Sequence, residues 1–312
     1  MKKILSMFLL VTVIMGSLIG CGKKEEEATG PKKIVLGIAS NEYSQKWMTY
    51  LNERTKTYAG EMDVETIFSD AKSDAAVQLA NVENLIVQGV DAILIVMVDP
   101  TSPDPIINAC KEAGIPLIGV NRNYKGADVF IGSNDKEGGI MQMEYMAEVL
   151  GNKGNIGLLL GTLGEDCTIY RTEGNKEVID QHEGLNIVLE EVGLWDRAKG
   201  MEITENWLQS GVKLDAIVAN NDEMAIGAVR ALEGAGITGM PVAAIDGTID
   251  ALEYVKSGQM DISLFYSPFR TAEISVEAAI KKINGEKVDK FVVVPFEKVT
   301  AENVDKYIEI WK

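Results

Sequence analysis

Histidine and basic residues are scarce in this sequence. Its 312 residues include one histidine, and 30 lysines and arginines stand against 47 aspartates and glutamates, which gives a net charge of −17. Proteins that bind nucleic acid need a basic surface for the phosphates, so this balance argues against that class. The lone His182, without any CxxC or HExxH pattern, argues against a zinc site. We predict no metal and no other cofactor.

The motifs of several enzyme classes are also missing. GxSxG does not occur, and His182 stands in no nucleophile-like context. Phosphate-binding loops of the GxGxxG or GxxxxGK[ST] type are absent as well. Carboxylate pairs such as Asp222 and Glu223 could act on glycosides, but nothing in the sequence singles one pair out. We therefore predict that the protein is not an enzyme.

Cysteine is rare too. Besides Cys21, the chain has only Cys110 and Cys167. Exported proteins often carry disulfides, but these two residues lie far apart in the sequence, and we predict two unpaired thiols.

Residues 1–20 have the pattern of an export signal. Two lysines precede an apolar run that is too short to span a membrane. The segment leads into the letters LIGC, which resemble the lipobox of bacterial lipoproteins. This resemblance implies cleavage before Cys21 and diacylation of its thiol. An ordinary signal peptide that contains a cysteine is the alternative.

Residues 21–31 are polar and have no apolar face, so we predict a flexible tether. Lipid chains on Cys21 would anchor the mature protein at the extracytoplasmic face of the cell membrane without spanning it. A folded domain is predicted to begin at Lys32.

From Lys32 onward, short apolar runs alternate with segments of helical periodicity. This alternation predicts an α/β fold with parallel sheets and right-handed crossovers. The number of units favours two doubly wound sheets, and a (β/α)₈ barrel is the alternative. The predicted strands are Ile34–Ala39, Val64–Phe68, Ala92–Val98, Pro116–Val120, Val129–Gly132, Asn155–Leu160, Ile187–Val192, Ala216–Ala219, Val242–Ile245, Ile262–Tyr266 and Phe291–Pro295.

The stretch Asp215–Leu232 contains one complete unit. The run Ala216–Ala219 predicts a buried strand, and apolar residues recur at helical spacing after Asp222, the predicted N-cap. Open α/β sheets bind ligands at the carboxyl ends of their strands, where Asn221 lies. Taken alone, this turn is open to two interpretations, a capped turn without a ligand and part of a binding site.

Polar and aromatic side chains follow the other predicted strands too. In parallel sheets they would converge on a cleft at the carboxyl edges. Aromatic faces, together with amides, guanidinium groups and carboxylates, suit a sugar-like ring with adjacent hydroxyls. These residues are Asn41 and nearby Trp47, Asn121, Arg122, Glu165, Arg171, Trp195, Asn221, Asp246 and Tyr266.

Four segments carry a family resemblance. They are RTEG at 171–174, WDRA at 195–198 with NWL at 206–208, VANNDEMA at 218–225 and AIDGT at 244–248. In this order they resemble the type I periplasmic sugar-binding proteins of ABC importers, and the similarity runs from about Lys32 to near the end of the chain. It implies two doubly wound parallel-sheet lobes joined by a three-segment hinge. Residues 32–130 and 264–292 would form an N-terminal lobe, and residues 131–263 and 293–312 a C-terminal lobe.

The resemblance also implies roles for single positions. Asn221 and Asp246 match the family's ligand-binding asparagine and aspartate, and Arg171 matches an arginine that binds ring or hydroxyl oxygens. Asn121 and Arg122 match a polar pair that binds the ligand.

Other positions match less closely or depart from the family pattern. Trp195 matches an aromatic residue that packs on the sugar. Asn41 and Trp47 match the first loop, where Glu42 or Gln45 could replace Asn41. Two further binding positions differ from relatives: Glu165, near Cys167, stands where the galactose type has other residues, and Tyr266 stands where Gln or Asn is common.

The implied function is capture of a monosaccharide or related polyol by a monomeric lipoprotein, which delivers it to an ABC permease. Sugar contacts from both lobes would favour a closed state that the permease recognises. A sugar-sensing receptor that signals to a chemotaxis or kinase partner is the alternative. The effector domain of a transcription regulator shares the fold but is disfavoured by the export signal.

Overall fold

The computed structural model describes residues 33–311. The predicted export signal, Cys21 and the tether lie outside the described residues. Within residues 33–311, no helix combines the length and the apolar character that a membrane span needs.

Twelve strands and ten α-helices alternate along the described chain. They are β1 (Val35–Ser40), α1 (Lys46–Glu61), β2 (Glu65–Asp70), α2 (Ala75–Val87), β3 (Ala92–Ile95), α3 (Asp104–Ala113), β4 (Leu117–Val120), β5 (Val129–Gly132), α4 (Asp135–Val149), β6 (Gly154–Leu160), α5 (Asp166–Ile179), β7 (Leu185–Val192), α6 (Arg197–Gln209), β8 (Ala216–Ala219), α7 (Asp222–Gly234), β9 (Val242–Asp246), α8 (Ile249–Lys256), β10 (Ile262–Phe265), α9 (Pro268–Ile283), β11 (Phe291–Val293), β12 (Glu297–Val299) and α10 (Val304–Ile308), with a final 3₁₀ turn at Glu309–Trp311.

The strands form two six-stranded sheets. One has the order β11-β5-β4-β3-β1-β2, and the other has the order β12-β10-β9-β8-β6-β7. All neighbouring strands are parallel except β10 and β12, which pair antiparallel. The predicted pair of doubly wound sheets is therefore confirmed, and the barrel alternative is excluded.

Burial explains why the central strands are apolar throughout. Every residue of β3, β4, β8 and β9 is buried, because helices cover both faces of each sheet. The edge strand β7 instead has buried or half-buried residues alternating with exposed ones along much of its length. This contrast matches the rule that parallel strands in the middle of a sheet need apolar side chains on both faces.

The chain passes between the two sheets three times: after β5, after β10 and between β11 and β12. We call the elements around the first sheet the first lobe and those around the second sheet the second lobe. The predicted boundary after residue 130 falls within β5, since Ile131 and Gly132 still pair with β11. The boundary after residue 263 falls within β10, since Leu264 and Phe265 still pair with β12.

Candidate functional site

The carboxyl ends of strands from both lobes border one cleft of about 380 Å³. Nine of the ten residues that the sequence predicts for a binding site line it. They are Trp47, Asn121, Arg122, Glu165, Arg171, Trp195, Asn221, Asp246 and Tyr266. The structure thus brings together residues that are spread over more than two hundred positions of the sequence.

Asn41 is the exception, because it does not border the cleft. Its carbonyl accepts from the amide of Ser73 at 2.8 Å, which continues the β1–β2 pairing beyond the ends of both strands. Its side chain is buried, and within residues 33–311 neither amide atom has a hydrogen-bond partner. Glu42 and Gln45, the two substitutes that the sequence suggested, both line the cleft.

The turn after β8 also differs from its prediction. Asn221 is the N-cap of α7: its Oδ1 accepts from the amide of Met224 at 3.0 Å, so the predicted cap at Asp222 is wrong. Asn221 has the extended backbone of a cap residue, whereas Asp222 already belongs to the helix. The Asn221 Nδ2 makes only a 3.4 Å contact with the carbonyl of Trp195. This amide is therefore the part of the Asn221 side chain that could donate to a ligand.

Asp222 performs a structural role behind this turn. It is fully buried, and its carboxylate accepts from the amide and hydroxyl of Thr248 at 2.6 and 2.8 Å and from Ser263 Oγ at 2.6 Å. Burial, followed by the nearby charge of Asp246, raises the pKa of Asp222. Asp222 therefore ties β8 to the turn after β9 and to β10.

Arg171 lies at the centre of the cleft wall in the second lobe. Its Nε donates to Asp135 Oδ1 at 2.8 Å, and another guanidinium nitrogen donates to the carbonyl of Asn220 at 2.7 Å. The same nitrogen lies 3.7 Å from Asp246 Oδ1. The guanidinium carbon is 5.9 Å from the ring of Trp195, a distance at which the aromatic face attracts a cation. These contacts fix the direction in which the fork of Arg171 can bind a ligand.

Close helix packing sets the position of Arg171. A Cβ on Gly139 of α4 would lie 2.1 Å from the carbonyl oxygen of Arg171, and one on Gly174 would lie 2.2 Å from the carbonyl of Lys136. Only glycine at these two positions lets the backbones of α4 and α5 come so close. This approach brings Asp135, the first residue of α4, within reach of Arg171.

Asp246 ends β9 in an unusual conformation. Its φ of 134° lies in a region that residues other than glycine rarely adopt. Burial raises the pKa of its carboxyl, while the guanidinium of Arg171 partly opposes that rise. A buried carboxylate on a strained turn is costly for folding, which is typical of a functional site.

A bridge between the lobes crosses the cleft. Arg122 of the first lobe makes an ion pair of 3.0 Å with Glu165 of the second lobe, and Glu165 also accepts from the indole nitrogen of Trp195 at 2.9 Å. Burial raises the pKa of Glu165, although Arg122 and the hydrogen bond from Trp195 act in the opposite direction. The Trp195 ring packs so closely on Gly161 that a Cβ there would lie 2.0 Å from it. Glu165 thus holds both an arginine and an aromatic ring in place.

Trp47 and Tyr266 form an aromatic pair beside the second crossing between the lobes. Their rings stack at a centroid distance of 4.9 Å with an interplanar angle of 9°, and the Trp47 indole donates to the carbonyl of Tyr266 at 2.9 Å. Trp47 belongs to the first lobe, while Tyr266 directly follows β10 of the second sheet. A ligand that packs on Trp47 would therefore contact a ring that is fixed to the hinge.

The rim of the cleft carries a charge network that the sequence did not reveal. Arg197 makes two hydrogen bonds of 2.8 Å to Glu223 and one of 2.9 Å to Asp250. Asp250 also accepts from Lys46 of the first lobe at 2.8 Å, a second bridge between the lobes. All four residues lie in the first turn of a helix, just beyond the residues that directly follow the strands. Asp135, the partner of Arg171, was missed for the same reason.

The charges and thiols of the cleft suit binding better than catalysis. Each lysine or arginine that lines it has a carboxylate partner: Lys46 with Asp250, Arg122 with Glu165, Arg171 with Asp135, and Arg197 with Glu223.

Cys110 and Cys167 are free, as predicted, and burial raises the pKa of Cys167 to about 12. A thiol with such a pKa is a poor nucleophile.

Comparison with known families agrees with this geometry. Residues 36–287 match the profile of the periplasmic binding protein domain. The chain belongs to this family. As a member of a family of binding proteins it is not an enzyme, and its location is extracytoplasmic, in agreement with the predicted export.

Individual relatives cover nearly the whole chain. A putative rhizopine-binding protein of Rhizobium meliloti is 33% identical over 301 residues, which span 93% of this chain and 97% of the relative. The xylitol-binding protein of Mycolicibacterium smegmatis is 34% identical over 297 residues, or 94% and 84% of the two chains. Among solved structures, an ABC transporter solute binding protein from Bacillus halodurans with bound myo-inositol has a TM-score of 0.85 and 43% identity, and the match covers 89% of this chain and 98% of the other.

Proposed function

We propose that this protein captures a neutral monosaccharide or related polyol in the cleft between its lobes and delivers it to an ABC permease. The observation that carries the proposal is the pairing of every cation in the cleft lining with a carboxylate. A sugar acid or sugar phosphate would need a cation free to bind its charge, whereas neutral hydroxyls need donors and acceptors side by side. The relative named for xylitol and the structure with bound myo-inositol support neutral polyols as ligands.

The size of the cleft supports a ligand of one ring. A volume of about 380 Å³ lies near the lower end of the range of small-molecule sites, which is roughly 300–1,000 Å³. Around such a ring, Asp246, Asn221 and Arg171 would bind hydroxyls from the second lobe, and Asn121 and Arg122 would do so from the first.

Further contacts would come from aromatic rings and from the first loop. Trp47 and Trp195 would pack on the C–H face of the ring, with Tyr266 behind Trp47. Glu165 would hold Arg122 in position and could accept from a hydroxyl. Gln45 or Glu42 would take the place that the sequence suggested for Asn41.

Ligand binding is proposed to favour closure about the three crossings between the lobes. Ligand groups that contact both lobes bind fully only in the closed form, so they shift the population towards it. The permease would then recognise a surface that both lobes complete only when they are closed. We propose that the protein acts as a monomer, tethered by lipid on Cys21.

A thermal-shift panel tests the ligand class. We expect myo-inositol, xylitol or ribose to raise the melting temperature, and glucuronate and glucose 6-phosphate to leave it unchanged. A ligand at 100 times its Kd stabilises the folded state by about 2.7 kcal/mol. For a chain of this size, that corresponds to a rise of roughly 5–10 °C in the melting temperature. A rise with the charged sugars alone would contradict the proposal, as would the absence of a rise with a wider set of neutral sugars and polyols.

Lipid anchoring predicts a separate result. In a bacterial host, the full-length protein should fractionate with membranes, and Cys21→Ser should move most of it to the soluble extracytoplasmic fraction, because the thiol is the proposed acylation site. Cys110→Ser is the matched control and should stay with the membranes. Equal membrane association of Cys21→Ser and the unmodified protein would contradict the anchor.

A further inference from the structure

The end of the chain reaches both lobes at once. Helix α10 packs on α8 in the second lobe, where Val304, Tyr307 and Ile308 are buried. The following 3₁₀ turn, Glu309–Trp311, brings Trp311 over the second lobe, where its indole nitrogen donates to the carbonyl of Gly247 at 3.1 Å. Gly247 is the residue directly after Asp246.

The same indole ring contacts two aromatic rings of the first lobe. Its ring centre lies 4.5 Å from that of Tyr50 on α1 and 4.9 Å from that of Phe269 on α9, both in edge arrangements. Helices α1 and α9 pack on each other, and α9 also packs on β3, β4 and β5 of the first sheet. Trp311 therefore connects the turn after β9 with the first lobe through a single side chain.

The turn that Trp311 holds is one that needs support. Asp246 and Gly247 both have positive φ, of 134° and 68°. A Cβ on Gly247 would lie 2.6 Å from the backbone of Phe265, and its amide donates to Ser263 Oγ at 3.0 Å. Such a conformation persists only where surrounding contacts fix it. Among these contacts, the indole of Trp311 also packs on rings of the first lobe, so its position can change when the lobes separate.

We propose that Trp311 is a positioning residue that couples lobe closure to the ligand-binding geometry of Asp246. In the closed form its ring packs against both Tyr50 and Phe269, while its N–H fixes the carbonyl of Gly247, the residue after Asp246. When the lobes separate, the aromatic contacts are lost and the turn loses one of its supports. The ligand thus meets a fully ordered Asp246 only in the closed form. This inference rests on the proposed function through the role of Asp246 in binding.

Two substitutions separate the ring from its N–H group. Trp311→Phe keeps an aromatic ring and removes the donor, so we expect about fivefold weaker binding of myo-inositol by calorimetry, as for one lost hydrogen bond. Trp311→Ala also removes the contacts with Tyr50 and Phe269, and we expect a loss of about 20- to 50-fold. Ile310→Ala, at an exposed position of the same turn, is the matched control and should bind like the unmodified protein.

Two further measurements distinguish positioning from general stability. In protein labelled with 5-fluorotryptophan, the ¹⁹F signal of Trp311 should shift when myo-inositol is added, whereas that of Trp207, buried in the core of the second lobe, should not. Small-angle scattering without ligand should give a larger radius of gyration for Trp311→Ala than for the unmodified protein or Ile310→Ala.

The outcomes separate this inference from the proposed function. Normal binding by Trp311→Ala, alongside lost binding by Asp246→Asn, would overturn the role of Trp311 and leave the ligand site intact. If no neutral sugar or polyol binds the unmodified protein, the proposed function fails. In that case, small-angle scattering of the protein without ligand still tests whether Trp311 holds the two lobes together. Equal radii of gyration for all three proteins would then overturn the inference.

Discussion

Replacing Asp246 with asparagine is expected to abolish most ligand binding and at the same time to stabilise the ligand-free protein. Asparagine keeps the shape of the side chain but removes the charge, and hydrogen bonds to charged groups contribute about 1.5–3 kcal/mol each. We therefore expect affinity for the best neutral ligand of the panel to fall on the order of 100-fold. Titration calorimetry with the unmodified protein and Asp246→Asn measures this loss directly.

The gain in stability has a definite dependence on pH. Burial raises the pKa of Asp246 in the folded state above the value of about 4 that aspartate has when unfolded. Because its pKa is raised, the folded state favours the protonated carboxyl. The contribution of this group to the free energy of unfolding is therefore fully present below about pH 4 and is lost as the pH rises through the pKa of the folded state. Asp246→Asn removes this loss and also relieves the repulsion with buried Asp222.

The melting temperature measures this effect without any ligand. At pH 8, Asp246→Asn should melt higher than the unmodified protein, by on the order of 5 °C, and the difference should shrink as the pH falls towards 4. Asp250→Asn is the matched control at the rim. Although desolvation opposes it, hydrogen bonds from Lys46 and Arg197 lower the pKa of Asp250, so this variant should melt lower, with a deficit that disappears at acidic pH. A lower melting temperature for Asp246→Asn at pH 8 would contradict the assignment of Asp246 as a destabilising functional group.

The strand-end residues were predictable because their position follows from local pattern. Apolar runs such as Ala216–Ala219 mark strands, and parallel strands place the residues that follow them at the same edge of a sheet. Asn121, Asn221 and Asp246 reach the cleft for this reason, and placing them there needs no detailed knowledge of side-chain contacts.

The choice among neighbouring polar residues was less predictable. Whether Asn221 or Asp222 caps α7 depends on partners such as Thr248, which lie far away in the sequence. The burial of Asn41 depends on how far the β1–β2 pairing continues beyond the strands. The role of Trp311 could not be read from its sequence context at all, because its contacts come from α1, α9 and the turn after β9. In each case tertiary contacts decide between side chains that the local pattern treats as equal.

Removing Arg171 is expected to have the largest combined effect on stability and binding. Arg171→Met retains much of the volume but leaves the mostly buried Asp135 and the buried Asp246 without their cation. Loss of one partner from a buried ion pair costs about 3–5 kcal/mol, so the melting temperature should fall by roughly 6–20 °C. Binding of the panel ligands should fall below detection, because the guanidinium fork is lost as well. Differential scanning calorimetry and titration calorimetry measure the two effects.

Two further variants show whether the mechanism is the uncompensated charge. Adding Asp135→Asn to Arg171→Met should restore part of the melting temperature without restoring binding, because one buried carboxylate is neutralised while the fork stays absent. Arg270→Met removes an exposed arginine whose partner Glu273 lies 3.3 Å away, and it should change stability by less than about 0.5 kcal/mol. In Arg171→Met the cation that opposes the raised pKa of Asp246 is gone, so the deficit in melting temperature should be larger at pH 8 than at pH 5. If the loss of melting temperature in Arg171→Met is independent of pH and unaffected by Asp135→Asn, its cause is lost packing and not an unpaired charge.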